Sequence, residues 1–210
     1  MSRNSSVPDL IMKRLRAGGR GGVFTPSDFL DLGTRPAVDK ALSRLAKGGK
    51  LRRLAQGLYD FPKTHPQLGD LSPAPDDIAQ ALARESGSVI QIAGARAANQ
   101  LGLSTQVPAK SVYLTDGPSR RVVLGKRIVD LRHAGPKHLI APGSAAGTVI
   151  QALRHVGPVG AADVAKVAVH RLSFKDKKIL ANTAVRAPAW MRPTLDAIAS
   201  AAAGKSGSDG

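Results

Sequence analysis

Cysteine is absent from this chain of 210 residues, which excludes a disulfide framework, a thiolate metal site and a cysteine nucleophile. Long apolar runs are missing too. None reaches the roughly 20 residues that cross a bilayer, and Met1 to Arg16 contains no hydrophobic signal core, so a cytoplasmic protein without membrane contact is the expectation. Acidic residues are scarce, with 15 Asp and Glu against 31 Lys and Arg, for a formal charge of +16 and a pI near 11.0. That balance calls for a polyanionic partner, nucleic acid before an acidic protein, and says nothing about the fold. The histidines His133, His138, His155 and His170 are dispersed, with no HExxH pattern or neighbouring carboxylate cluster, so neither a metal nor another cofactor is expected.

What is present is concentrated in VFTPSDFLDLGTRPAVDKALSRLAKGGKLRRLAQGLYDFP, from Val23 to Pro62. Thr25-Pro26-Ser27-Asp28 is a good helix start, with a capping hydroxyl, a proline suited to the first turn and an acid that complements the dipole. A short helix over Pro26 to Leu32 is expected, ended by Gly33 in the left-handed conformation. Thr34 then caps a second helix from Arg35 to Lys47, with Pro36 in its first turn. Val38, Ala41, Leu42 and Leu45 recur at the three-and-four spacing of a buried face. Pro36, Lys40, Ser43 and Lys47 fall opposite, flanked by Arg35 and Arg44, so this side suits a DNA major groove; the plain alternative is an ordinary solvated helix face.

Gly48-Gly49 stops that helix, and two short strands then flank an Ala55-Gln56-Gly57 turn. Leu51, Leu54, Leu58, Tyr59 and Phe61 are available to pack beneath the helices. Lys50, Arg52 and Arg53, with Gln56 at the tip, fall where a phosphate backbone would pass. The whole reads as a winged helix-turn-helix. Its first core helix opens at Val7-Pro8-Asp9, with Leu10, Ile11, Met12 and Leu15 inward and Lys13, Arg14 and Arg16 outward. Gly18-Gly19-Arg20-Gly21-Gly22 is a flexible connector and not a phosphate loop, because no strand enters it and no Lys-Ser/Thr pair follows.

Pro62, Pro66, Pro73 and Pro75 mark residues 64–75 as a linker or strapped loop. The segment up to Lys63 holds 13 basic and 5 acidic residues against 18 and 10 in the remainder, so positive charge is densest in the first third. The expected division is a DNA-binding domain over 1–63, the linker, a second domain over 76–203 and a disordered tail over 204–210. In the second domain, helices are expected over Asp76 to Glu85 and Ala93 to Leu101, and a short strand over Ser88 to Ile92. SVYLTDG and RRVVLGKRIVDLRHA predict a two- or three-stranded antiparallel sheet. Four helices follow: Ser144 to His155, Gly160 to Leu172, Ser173 to Val185 and Ala189 to Ala202. The fold class is therefore α+β. Arg120, Arg121, Lys126 and Arg127 read either as a second nucleic-acid surface or as a solvated sheet edge. A nuclease is disfavoured, because only Asp116 and Asp130 lie near enough to hold its metal.

The helix, TPSDF helix, capped basic helix and GKLRRLAQGLYDFP wing together resemble the winged-helix domain of AbiEi-type antitoxins. QIAGARAANQLGL, SVYLTDGPSRRVVLG and VIQALRHVG are similar to the C-terminal region of the same group, including its DUF6088 relatives, so the resemblance spans about Val7 to Ile198. It implies an autorepressor that binds its own promoter and acts as the antitoxin of a type IV pair, whose toxin is nucleotidyltransferase-like and need not be contacted directly. A winged-helix regulator whose second domain binds a small effector is the rival, and a nucleic-acid-processing enzyme the more distant one.

Overall fold

Helix α1 (Val7–Gly18) forms where Ser6 and Asp9 bond to each other across its first turn, and it buries Ile11, Met12 and Leu15. The computed structural model describes residues 6–105 and 108–201, so the expectation for the 204–210 tail lies outside the described residues. Strand β1 (Val23–Phe24) leads into a single 3-10 turn, Pro26–Phe29, in place of the expected helix to Leu32. The reason is tertiary. Arg14 Nη1 donates to the Asp28 carbonyl at 3.1 Å and to the Asp31 carboxylate at 2.8 Å, and the Leu32 amide closes a tight turn on Phe29.

Gly33 likewise is not among the described residues with positive φ. Its role is clearance, because a Cβ there would sit 3.1 Å from Val7 Cγ2. Helix α2 (Arg35–Lys47) buries Val38, Ala41, Leu42 and Leu45 as its spacing requires. It ends in a left-handed Gly49 (φ 68°), with the Gly49 amide bonding to Ala46 and the Lys50 amide to Leu45, the pairing that satisfies the last carbonyls of a helix.

Strands β2 (Arg52–Ala55) and β3 (Leu58–Asp60) then form a hairpin in which Ala55 faces Leu58, with Gly57 at φ 67° in the turn. The sheet order is β1-β3-β2, antiparallel throughout. Leu51, Tyr59 and Phe61 join α1, α2 and Phe29 in one core, each large side chain contributing about 1.5–3 kcal/mol by leaving water. The glycine-rich connector is pinned and not free: Arg20 lies 4.6 Å above the Phe61 ring, and the Gly21 amide bonds to the Phe61 carbonyl.

Residues 64–75 are not a bare linker. Thr64–His65 (β4) and Gly69–Asp70 (β5) pair as a small hairpin, and Leu71 is tied back through the Lys63 carbonyl and Arg52. Helix α3 (Pro75–Ser86) follows, its Arg84 bonding to the Asp28 carboxylate and the Val23 carbonyl. Those ties place the boundary between compact units after Ser88, beyond the 63 and 75 that the prolines suggested; Val122–Gly125 group with the first unit.

Strands β6 (Ile90–Ala93), β7 (Lys110–Thr115), β8 (Arg120–Leu124) and β9 (Arg127–His133) form a sheet of order β6-β7-β9-β8. β6 and β7 are antiparallel, but β7 and β9 run parallel, with Lys110 opposite Ile128 and Thr115 opposite His133. The expected antiparallel sheet is thus a four-stranded mixed one. β9 takes the interior place because Val129, Asp130 and Leu131 are buried in succession, the pattern of a strand covered on both faces. Helix α4 (Gly94–Gln100) packs on α5 (Ala145–Val156), which is buried continuously from Ala146 to Leu153. Helices α6 (Ala161–Arg171), α7 (Phe174–Thr183) and α8 (Arg192–Ser200) complete that core. Among the described residues no helix is long and apolar enough to cross a membrane.

Candidate nucleic-acid interface

Burial of Val38, Ala41, Leu42 and Leu45 leaves Thr34, Arg35, Pro36, Lys40, Arg44 and Lys47 exposed on α2, with Ser43 half-buried among them. Lys50, Arg53 and Gln56 are exposed on the hairpin side. Among the described residues none of Lys40, Arg44, Lys47, Lys50 and Arg53 takes part in an ion pair. Five uncompensated cations on one helix and its hairpin make a local positive field. An open recess of about 510 Å³ lies between the last turn of α2 and β2, lined by Ser43, Lys47, Arg53 and Asp70 among others.

Two residues of the expected site are engaged elsewhere. Arg35 Nε donates to both carboxylate oxygens of Asp39, at 3.2 and 3.1 Å, so one turn of the exposed face carries a neutral pair; the spacing of four was visible in the sequence. Arg52 is held more firmly. It donates through Nε at 3.1 Å to Asp60, whose side chain is only 2% exposed, and through Nη2 at 2.7 Å to the Leu71 carbonyl. The Asp60 hydrogen bond, working against desolvation, raises the Arg52 guanidinium above its usual range. Arg52 is a clamp beneath the hairpin and not a free phosphate ligand, and no periodicity reveals a buried acid in the third strand.

The second basic group divides similarly. Lys126 and Arg127 are exposed and Arg120 has partners of its own, while Arg121 faces Asp130 at 3.4 Å. Lys110 at 3.1 Å and Arg132 at 3.0 Å complete a ring around that buried carboxylate. Burial pushes Asp130 up, but hydrogen bonds from Lys110, Arg132 and Arg121 outweigh it and hold the group at about 2. A carboxylate so surrounded, with three cationic donors on its two oxygens, ties β7, β8 and β9 together. Among the described residues no group of three or more His, Asp or Glu is placed to hold one.

An α+β protein with a basic helix and hairpin presented by a small N-terminal unit is the class this geometry defines. The chain belongs to a family described as a family of unknown function (DUF6088), whose model matches residues 10–186. No curated protein and no solved structure gives a significant match.

Proposed function

We propose that the N-terminal unit is a winged helix-turn-helix that binds duplex DNA, with α2 in the major groove and the β2–β3 hairpin as a wing along the backbone. The observation that carries this is the coincidence of element order with charge. A helix, a strand, a short turn, a helix and a two-stranded hairpin give the sheet order β1-β3-β2, and the face of α2 turned from the core is where the unpaired cations collect. A helix of this diameter fits the major groove, whose base edges carry the sequence code.

In this reading Lys40 and Ser43 face bases, Thr34, Pro36 and Gln56 flank them, and Arg44, Lys47, Lys50 and Arg53 meet phosphates. The protein acts as a repressor of its own promoter. The antitoxin role rests on the resemblance to AbiEi-type antitoxins, and its check is rescue of growth when the gene is co-expressed with an adjacent nucleotidyltransferase-like gene. The DNA reading is tested by titrating promoter and random duplexes from 50 to 200 mM salt. Each neutralised phosphate adds about −0.9 to the slope of log K against log salt, so four or five contacts give a slope near −4. A flat response overturns the reading.

A further inference from the structure

A second charged feature lies in the C-terminal unit, far along the sequence from the α2 face and of different shape. An open recess of about 350 Å³ is lined by Lys137, His138, Arg154, Arg186, Pro188 and Arg192, with no acidic side chain in its wall. Its volume falls within the range of small-molecule sites. The cations come from four places in the chain: Lys137 and His138 from the turn before α5, Arg154 from α5, Arg186 from the segment joining α7 to α8, and Arg192 from the first turn of α8. No carboxylate pairs with any of them among the described residues.

The wall is held by bonds to neutral acceptors only. Arg154 Nη2 donates to the Lys137 carbonyl at 2.9 Å, and Nη1 approaches His138 Nδ1 at 3.2 Å. A guanidinium can only donate, so Nδ1 accepts and the imidazole is neutral with its proton on Nε2. Gln151 holds the His138 carbonyl at 2.7 Å, and Arg192 donates to the Val185 and Ala187 carbonyls at 3.0 and 3.3 Å. Arg154 Nε is buried and makes no hydrogen bond among the described residues. Burial holds Arg154 below its usual range, and burial with the charges of Arg154 and Lys137 does the same to His138.

We infer that this recess binds a compact phosphorylated small molecule, with Arg154 and Arg186 as its principal ligands and Lys137 and Arg192 at the rim. Three guanidinium groups and an ammonium exceed what one carboxylate neutralises. A phosphate monoester or pyrophosphate offers the charge and the several oxygens that forked donors match in pairs. The site is independent of the DNA reading.

The test is calorimetric titration of the full chain with inorganic pyrophosphate at low salt, beside Arg186→Gln, Arg192→Gln and, as a control on α2, Lys40→Gln with Arg44→Gln. One saturable event per chain is expected, weakened tenfold or more in the recess variants and unchanged in the α2 variant. The His138 imidazole, followed by NMR, should titrate at higher pH with pyrophosphate present, because a bound anion favours the imidazolium. This second readout stands even if a recess variant fails to fold. Absence of saturable binding, equal affinity in folded recess variants, or an unmoved His138 overturns the proposal. Loss of duplex DNA affinity in the recess variants as large as in the α2 variant also overturns it, by assigning the recess to backbone phosphates of nucleic acid.

Discussion

A single arginine shows how charge divides between structure and recognition. Arg52 and Arg53 are adjacent and chemically identical, yet Arg52 grips Asp60 and Leu71 while Arg53 is exposed and unpaired. Arg52→Ala should destabilise the first unit by about 2 kcal/mol, since it leaves a buried carboxylate uncompensated; chemical denaturation measures it. Arg53→Ala should leave stability unchanged and weaken specific and random DNA alike. Lys40→Ala and Ser43→Ala should instead lose discrimination, by roughly 1–3 kcal/mol where a good bidentate base contact is removed. Equal losses on both DNAs for all of these variants would count against α2 as the reading element. Asp130 makes the corresponding statement in acid. Its carboxyl is held at about 2 against an ordinary 3.8, so its contribution is complete above about pH 4 and disappears as pH falls through 2. Asp130→Asn should remove about 2 kcal/mol at neutral pH, and with it much of the stability change across that window. The exposed cations of α2 were legible in the sequence because helical spacing alone sorts faces. The partners of Arg35, Arg52 and Arg121 were not read from it: for Arg52 and Arg121 pairing depends on strand register, which spacing in sequence does not fix.

At the level of elements, helices were read well where the apolar stripe was clear, as in α2, α5 and α6; of these only α5 has a side-chain cap, Ser144 accepting from the Gly147 amide, whereas the expected Thr34 cap on α2 is not made. The first helix of the expected pair failed because tertiary hydrogen bonds from Arg14 captured the groups its second turn needed. The four-stranded sheet failed in a different way. Its strands were recognised, but their order depends on which is most apolar on both faces, and the chain passes from β7 to the far edge before β9 fills the gap. One helix position gives a sharp check. Gly147 in α5 lies so close to its surroundings that a Cβ would come within 2.3 Å of the Ala141 carbonyl and 2.5 Å of Gln91 Oε1. The first of these is backbone and cannot swing aside. Gly147→Ala should therefore cost about 3 kcal/mol despite alanine's better helix propensity. A melting scan should show a fall of roughly 6–12 °C for a chain of this size, whereas unchanged stability would mean that the α5 packing described above is wrong.

For the whole molecule, the prolines after Phe61 suggested a break that the contacts place later. A fragment of about 60 residues buries only about 60% of its unfolded surface, and one ending at Lys63 also loses the Leu71 carbonyl under Arg52 and the Arg84 bonds to Asp28 and Val23. A fragment of residues 1–88 should melt cooperatively and bind duplex DNA, and one of residues 1–63 should melt at least several degrees lower. If the shorter fragment is as stable as the longer, the β4–β5 hairpin and α3 contribute nothing to the first unit. The strand order of the second sheet has a consequence during synthesis. β7 leaves the ribosome with β6 already available on one side, but its other neighbour is β9, whose last residue is 18 positions later. At about 5–20 residues per second the open edge of β7 waits roughly one to four seconds for that partner. In that interval nascent chains on one polysome can pair edge to edge, so translation pauses that fall after β7 has emerged and before β9 has are where this protein is most exposed to aggregation.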